Sequence, residues 1–447
     1  MKKRTINWLL AAFLLMSSAT IAQDVKIYSS LSDIVQKAID ESKTMKVERT
    51  KVEISESNLK SVQNAKLPDL NASSQFMFLP IQPNFNLKFG QQQTTTTDPE
   101  AAATASPNPK FLFLGQLSAS YPIFTGYKIK NNLIKAQQGI EAIKISASMQ
   151  AESVAWQTIQ LCFSMLRTDH MGEVLKGNLV RQDSRIKDFQ NFVDNGILSE
   201  NDLLKAKLLR SNVNLSLEEV LSNRESETYK FNTWLNQDIA INVAFDVSNE
   251  KLALISNFGL DIDNRSDLAL LNKRVDMSQT GIALAKAAYY PNIALTGGYI
   301  GLNIDQVASV TNAFNIGIGL KYNIASLYKN KTEVKTAQLQ LKESQLMVTE
   351  AQEKAKIELN KAIKAFELNI KKVEVYKEAL NQASENLRIV TNKNQNGLAD
   401  TDQLLEADVQ QLQAEINYKL SQGDRQIAWY QVLYLNGTLL DYLKIKR

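Results

Sequence analysis

Phe314-Asn-Ile-Gly-Ile-Gly-Leu-Lys-Tyr-Asn-Ile324 alternates without a break. Phe314, Ile316, Ile318, Leu320, Tyr322 and Ile324 fall on one side of an extended chain, and Asn315, Gly317, Gly319, Lys321 and Asn323 on the other. That two-residue period belongs to a strand with a single apolar face. From Ser326 the period becomes helical, and neither Gly nor Pro recurs before Gly397. A strand therefore runs straight into a very long helix. The same join occurs earlier: residues 121–137 align with 322–338 without a gap, at an offset of 201, and share Tyr, Ile, Tyr, Lys, Lys, Ala and Gln. The chain contains one unit twice, and two copies can build one object.

Working outward, residues 1–22 read as a signal peptide: Lys2, Lys3 and Arg4 precede an apolar core from Trp8 to Met16 and a small-residue exit at Thr20-Ile-Ala22. Removing those cations takes the formal charge from +4 to about +1, so the basic balance argues for no nucleic-acid partner. The lone Cys162 rules out an intramolecular disulfide. No later apolar run reaches the roughly 20 residues of a membrane helix. A membrane crossing would have to be made by strands.

The first repeat, 23–237, is predicted to open with a helix over 31–66 that Pro68 stops. Alternation then places Leu70, Ala72, Phe76 and Phe78 on one face of a strand. A Thr-rich loop over 81–110, with Pro83, Pro99, Pro107 and Pro109, leads to a second strand over 111–124 that carries Leu117, Ala119, Tyr121 and Ile123 on one side. A helix over 125–191, roughly 100 Å long, turns at Asn195-Gly196 and returns over 199–236. A linker over 238–264 includes a short alternating stretch, 239–247. The second repeat, 265–437, follows the same order: a helix stopped by Pro291, strands flanking a loop near 303–312, a helix over 326–394, a turn at Asn396-Gly397 and a return over 401–435. Residues 438–447 read as a C-terminal tail.

The second long helix carries two stripes: Leu359, Ile363, Phe366, Ile370 and Val373, and a small-residue stripe that includes Ala337, Ser344, Ala355 and Ala362. A two-stranded coil needs one seam; two seams suit a helix wedged between neighbours. A plain four-helix bundle also fits the helices, and the strands decide. An apolar face fringed by Phe76, Tyr121, Phe314 and Tyr322 and continued by Ile316, Ile318 and Leu320 suits lipid. Four strands are too few to close a barrel, so closure needs several copies of the chain. The expected fold class is mainly α with a membrane β-barrel portion.

This layout, with the paired motifs Asn195-Gly-Ile-Leu-Ser-Glu-Asn-Asp-Leu-Leu-Lys-Ala206 and Asn396-Gly-Leu-Ala-Asp-Thr-Asp-Gln-Leu-Leu-Glu-Ala407, resembles the outer membrane efflux protein family, the TolC-like channels. The resemblance covers residues 30–437. It implies a homotrimer with a twelve-stranded barrel and a helical tunnel in the periplasm, serving as the exit duct of a tripartite efflux system. It further implies a periplasmic adaptor (membrane fusion) protein and an inner-membrane transporter as partners, outer-membrane lipid around the barrel, and no cofactor. By position it assigns Asp202, Gln403 and Glu406 to the periplasmic aperture. Gly196, Leu203, Leu204, Gly397, Leu404 and Leu405 fall in the tip turns where the adaptor docks. Where the family pattern places a Tyr and an Arg around the second turn, this chain has Asn394 and Ala399.

Read without the resemblance, Ser199-Glu-Asn-Asp202 and Asp400-Thr-Asp-Gln403 are helix N-caps, and Gly196 and Gly397 are left-handed helix ends. A protein-secretion outlet and a soluble periplasmic scaffold or adaptor remain alternatives. One His and one Cys cannot supply a repeated metal site, and no phosphate-binding loop motif is present, so no enzyme is expected.

Overall fold

A computed structural model describes residues 30–81, 109–236, 261–305 and 308–445. The expected signal peptide, the greater part of the 81–110 loop and the alternating stretch at 239–247 lie outside the described residues. The described elements are α1 (Leu31–Glu41), α2 (Lys43–Asn64), β1 (Asp69–Phe78), β2 (Phe111–Thr125), α3 (Lys128–Asp194), α4 (Glu200–Trp234), α5 (Ser266–Ala287), β3 (Asn292–Ile304), β4 (Ala308–Lys321), α6 (Ser326–Gln395), α7 (Thr401–Asn436) and α8 (Leu439–Tyr442). They fall into two compact units. One comprises Lys51–Lys144 and Leu271–Val348, the other Met1–Thr50, Ile145–Leu270 and Thr349–Arg447.

The first of these holds one antiparallel sheet in the order β1-β2-β3-β4. Its register carries the alternation across all four strands: Leu70 faces Ala119, Ala119 faces Gly297, and Gly297 faces Ile316. One row further along, Ala72, Leu117, Tyr299 and Phe314 are matched. Because side chains alternate sides, these residues share a face. Leu70, Leu117, Phe314, Ile316, Ile318 and Leu320 are all exposed on it. The opposite face carries Asn71, Ser118, Gly298 and Asn315 in one row, and turns apolar nearer the strand connections, where Leu112 pairs with Ile304 and Leu114 with Leu302.

Three departures from the sequence reading concern the strands and their ends. Between Pro122 and Phe124 the pairing slips by a residue, leaving Ile123 as the extra residue of a bulge. The first long helix starts at Lys128 instead of 125, because Thr125 ends β2 while Gly126 and Tyr127 both adopt left-handed φ, 61° and 67°. Only glycine fits at 126, where a Cβ would lie 2.7 Å from the Ala287 carbonyl oxygen. The β3–β4 connection is also tighter than the 303–312 loop expected, since Asn303 pairs with Ser309 and Ile304 with Ala308.

Helices of this unit meet through small and polar groups. Asn330 Nδ2 donates to the Ala285 carbonyl at 2.6 Å. The Ser278 and Ser344 hydroxyls lie 2.9 Å apart, and Lys273 reaches Glu141 at 3.0 Å.

The second unit holds the main apolar core. Ile34 and Val35 of α1, Ile159 and Cys162 of α3, Leu359 and Phe366 of α6, and Trp429 of α7 are buried together. Both α6 stripes point inward, with Leu359, Phe366, Ala355 and Ala362 buried. The tail is no loose end: Leu439, Leu440, Leu443 and Ile445 belong to this core, and Ser32 Oγ donates to the Leu443 carbonyl at 2.6 Å. The single helix predicted over 31–66 is two, because Ser42 takes an extended ψ of 132°. Its hydroxyl accepts from the Thr44 N–H at 3.2 Å, a local cap that begins a new helix. At the start of α5, Arg265 donates to both oxygens of Asp267 at 3.0 and 2.7 Å and to the Leu435 carbonyl at 3.3 Å. Burial would raise the Asp267 carboxyl, but the Arg265 hydrogen bond and charge outweigh it and hold the group below its usual range.

Complete burial pushes the Cys162 thiol far above its normal titration range, since no neighbour stabilises the thiolate. Folded protein should therefore react with no water-soluble thiol reagent, whereas unfolding in denaturant should release one titratable thiol per chain. Stoichiometric labelling without denaturant would contradict the packing around α3.

Candidate aperture at the paired turns

The two long helices, α3 and α6, end in turns of the same construction. Gly196 and Gly397 adopt φ of 72° and 71°. At the first, the Gly196 N–H donates to Val193 at 2.9 Å and the Ile197 N–H to Phe192 at 2.8 Å. At the second, Gly397 donates to Asn394 at 3.0 Å and Leu398 to Lys393 at 2.8 Å. These crossed bonds are the Schellman arrangement, which satisfies the last carbonyls of a helix and needs a left-handed residue at the turn. Asn195 and Asn396 repeat a further detail, each side-chain amide donating to the carbonyl four residues back at 2.7 Å.

The returning helices are capped as their sequences require. Ser199 accepts from the Asp202 N–H at 3.3 Å while its hydroxyl donates to the Asp202 carboxylate at 2.7 Å. Asp400 accepts from the Gln403 N–H at 2.8 Å. Asp202 is thus tied to its N-cap residue through both backbone and side chain, and Lys205 lies 3.6 Å from it. Lys205 binds more closely to the other repeat, with its ammonium 2.7 and 2.9 Å from the Asp402 carboxylate. That hydrogen bond, aided by the carboxylate charge, raises the Lys205 pKa. Glu406 and Gln403 are exposed; the Gln410 amide donates to Glu406 at 3.2 Å.

The leucine pairs divide. Leu203 and Leu404 are each 3% exposed and pack with Phe189 and Ala206, whereas Leu204 is 55% exposed. Leu405 is half-buried beside that cluster. At the positions of the absent Tyr and Arg, Asn394 Nδ2 donates to the Ala399 carbonyl at 2.9 Å, closing the second turn on itself.

Sequence reading missed two pairings here. Besides Lys205–Asp402, the fully buried Asp408 accepts from Gln182 and lies 3.3 Å from the Arg185 guanidinium. A signal existed. At equivalent positions of the two repeats Lys205 stands against Glu406 and Lys207 against Asp408, so the copies are electrically complementary where they meet. The expected membrane face lies in the other unit, where Phe76, Tyr121, Phe314, Ile316, Ile318 and Leu320 are exposed on the strands and Tyr322 follows the last residue of β4.

Residues 260–438 match the family model described as outer membrane efflux protein. Among solved structures, CusC superimposes with a TM-score of 0.77 at 14% identity, covering 91% of this chain and 92% of that one. VceC from Vibrio cholerae gives 0.72 at 13% identity over 91% of this chain and 96% of its own. The open state of MtrE from Neisseria gonorrhoeae gives 0.71 at 17% identity over 92% and 89%. At these identities the likeness establishes the fold. No curated protein sequence matches the chain.

An alanine Cβ at either tip glycine would touch nothing within 4 Å, so its cost would be that of the backbone alone. Gly196→Ala and Gly397→Ala should each destabilise the turn by about 1–2 kcal/mol. Limited proteolysis should show faster cleavage at the substituted turn, with Asn in place of Ala milder. Unchanged cleavage would mean that the left-handed conformation is not maintained.

Proposed function

We propose that this chain, a member of the outer membrane efflux protein family over residues 260–438, is the outer-membrane exit duct of a tripartite efflux system. Substrate would leave passively through it, driven by an inner-membrane transporter coupled through a periplasmic adaptor. The sheet carries the argument. Its apolar face is exposed over every strand, and strands of 10 to 15 residues have the length of a tilted membrane crossing. Among the described residues, β1 and β4 each have one unpaired edge. Further copies of the chain would pair those edges, and a homotrimer makes a twelve-stranded barrel. The fold likeness to CusC, VceC and MtrE supports that assembly.

On this reading the alternation sets lipid against lumen. Ile318→Arg should block assembly, at about 2–4 kcal/mol near the midplane, whereas Asn315→Arg should be tolerated. Heat-modifiable oligomer bands in outer-membrane fractions would report the difference. Equal assembly of the two variants would reverse or abolish the face assignment.

The paired turns are read as the closed aperture. Of the carboxylates between 396 and 408, Asp402 is paired with Lys205 and Asp408 is buried beside Arg185, whereas Glu406 is exposed and in no ion pair among the described residues, so copies of Glu406 around an axis would favour cations. Asp202 is already hydrogen-bonded by Ser199 and near Lys205, so Glu406→Gln should lower cation preference in single-channel recordings more than Asp202→Asn. Closure would rest on the buried leucines. Leu203→Ala with Leu404→Ala should raise basal conductance, and Leu204→Ala should leave it unchanged. Charge neutralisation that opens the channel, with silent leucine truncation, would point to an electrostatic lock instead.

A further inference from the structure

Both long helices open with Tyr-Lys-x-Lys: Tyr127-Lys128-Ile-Lys130 and Tyr328-Lys329-Asn-Lys331. This duplicated motif takes no part in the apolar sheet face or the paired turns. It belongs to a wider charge pattern. The segments where helices adjoin the sheet, residues 60–69, 125–135, 286–292 and 321–335, contain ten lysines and only two carboxylates, Asp69 and Glu333. Every one of the ten lysines is exposed, and among the described residues none takes part in an ion pair. The unit that holds the sheet has seventeen Lys and Arg against ten Asp and Glu, so this collar accounts for its whole positive excess.

Three features give the collar a direction. Neither long helix has an acidic residue in its first turn; lysines there meet the positive end of the helix dipole, which is unfavourable unless an anion lies near. Tyrosines accompany the lysines: Tyr127 and Tyr290 meet edge to face at 5.7 Å and are both exposed, as are Tyr322 and Tyr328. Amphipathic rings of this kind collect at headgroup level. Finally, the collar begins where the exposed apolar face ends, at Leu320, although Lys321 itself lies on the opposite face of the strand. Lysine stems can lie along apolar surface while their ammonium groups reach a polar layer.

We propose that this collar binds the phosphodiester headgroups of anionic glycerophospholipids in the leaflet at the helix-bearing end of the sheet. The proposal rests on the reading of the sheet as membrane-spanning. Clusters of four to eight cations beside a membrane span attract anionic lipid in a salt-dependent way.

The test uses the full-length protein purified in detergent and reconstituted into phosphatidylcholine vesicles with about three parts in ten phosphatidylglycerol. Trace spin-labelled phosphatidylglycerol or phosphatidylcholine reports the motionally restricted lipid around the protein. Wild type should prefer phosphatidylglycerol about threefold or more at low salt, falling towards one as salt screens the charges. The variant with Lys128→Gln, Lys130→Gln, Lys329→Gln and Lys331→Gln keeps residues of similar helix propensity. It should insert like wild type and lose most of the preference. A preference that survives in this variant, or is absent from wild type, overturns the proposal. Peptidoglycan cosedimentation that the four substitutions abolish, without lipid preference in wild type, would replace the lipid by the cell-wall polymer. Failure of wild type to insert in either lipid would instead remove the membrane-spanning reading on which the proposal stands.

Discussion

An apolar sheet face open along four strands, with edges at β1 and β4 unpaired among the described residues, is not a stable arrangement for a lone chain in water. Edge strands template association, and a contiguous exposed apolar patch of this size marks an interface. Lipid can cover the face, but lipid cannot satisfy the edges: each unpaired backbone group in hydrocarbon costs several kcal/mol. Fourteen residues of β4 at about 3.4 Å each extend close to 48 Å. A tilt of about 45° brings that near the thickness of the hydrocarbon core and its borders. Both requirements would be met together where copies of the chain pair edge to edge.

Duplication is how one chain reaches that state with little sequence. Each repeat supplies two strands, one very long helix and one return helix, and β2 pairs with β3 to join the repeats in one sheet. The copies are not equivalent, however. The first turn balances Glu200 and Asp202 with Lys205 and Lys207, while the second is wholly acidic up to Asp408. Lys205 bonding to Asp402 shows the use of that asymmetry. Two identical turns would repel each other; two complementary turns hold together within one chain.

Period-based reading recovered the elements well because each was long and uniform. The strand through Phe314, the helix start at Ser326, the capping by Ser199 and Asp400 and the left-handed Gly196 and Gly397 all follow from local residues, although β4 ends at Lys321 while the alternation runs on to Ile324. What escaped depended on partners distant in sequence or on single backbone angles. The break at Ser42 needs one extended ψ in an otherwise helical pattern. Buried Leu439 and Leu440 look like a tail until α1 and α7 cover them. Within each Leu-Leu pair, sequence gives no hint that Leu203 is covered and Leu204 is not. The sequence marks Asp202 as a cap, with an aperture role implied only by the resemblance, and the structure shows the cap directly.

Net charge illustrates the limit of whole-chain quantities. A formal +4, three of it from Lys2, Lys3 and Arg4, suggests no electrostatic partner for the rest of the chain. Yet the chain carries ten lysines against two carboxylates around the sheet termini and a run of four carboxylates between Gly397 and Asp408. Cancellation happens only in the sum, because charges this far apart along the sequence are screened from one another beyond about 10 Å unless folding joins them. Folding joins Lys205 to Asp402 and Arg185 to Asp408, but it gives the collar lysines no partner among the described residues. Charge that folding leaves unpaired is left for something outside the chain, and the neighbouring apolar face determines what can approach it.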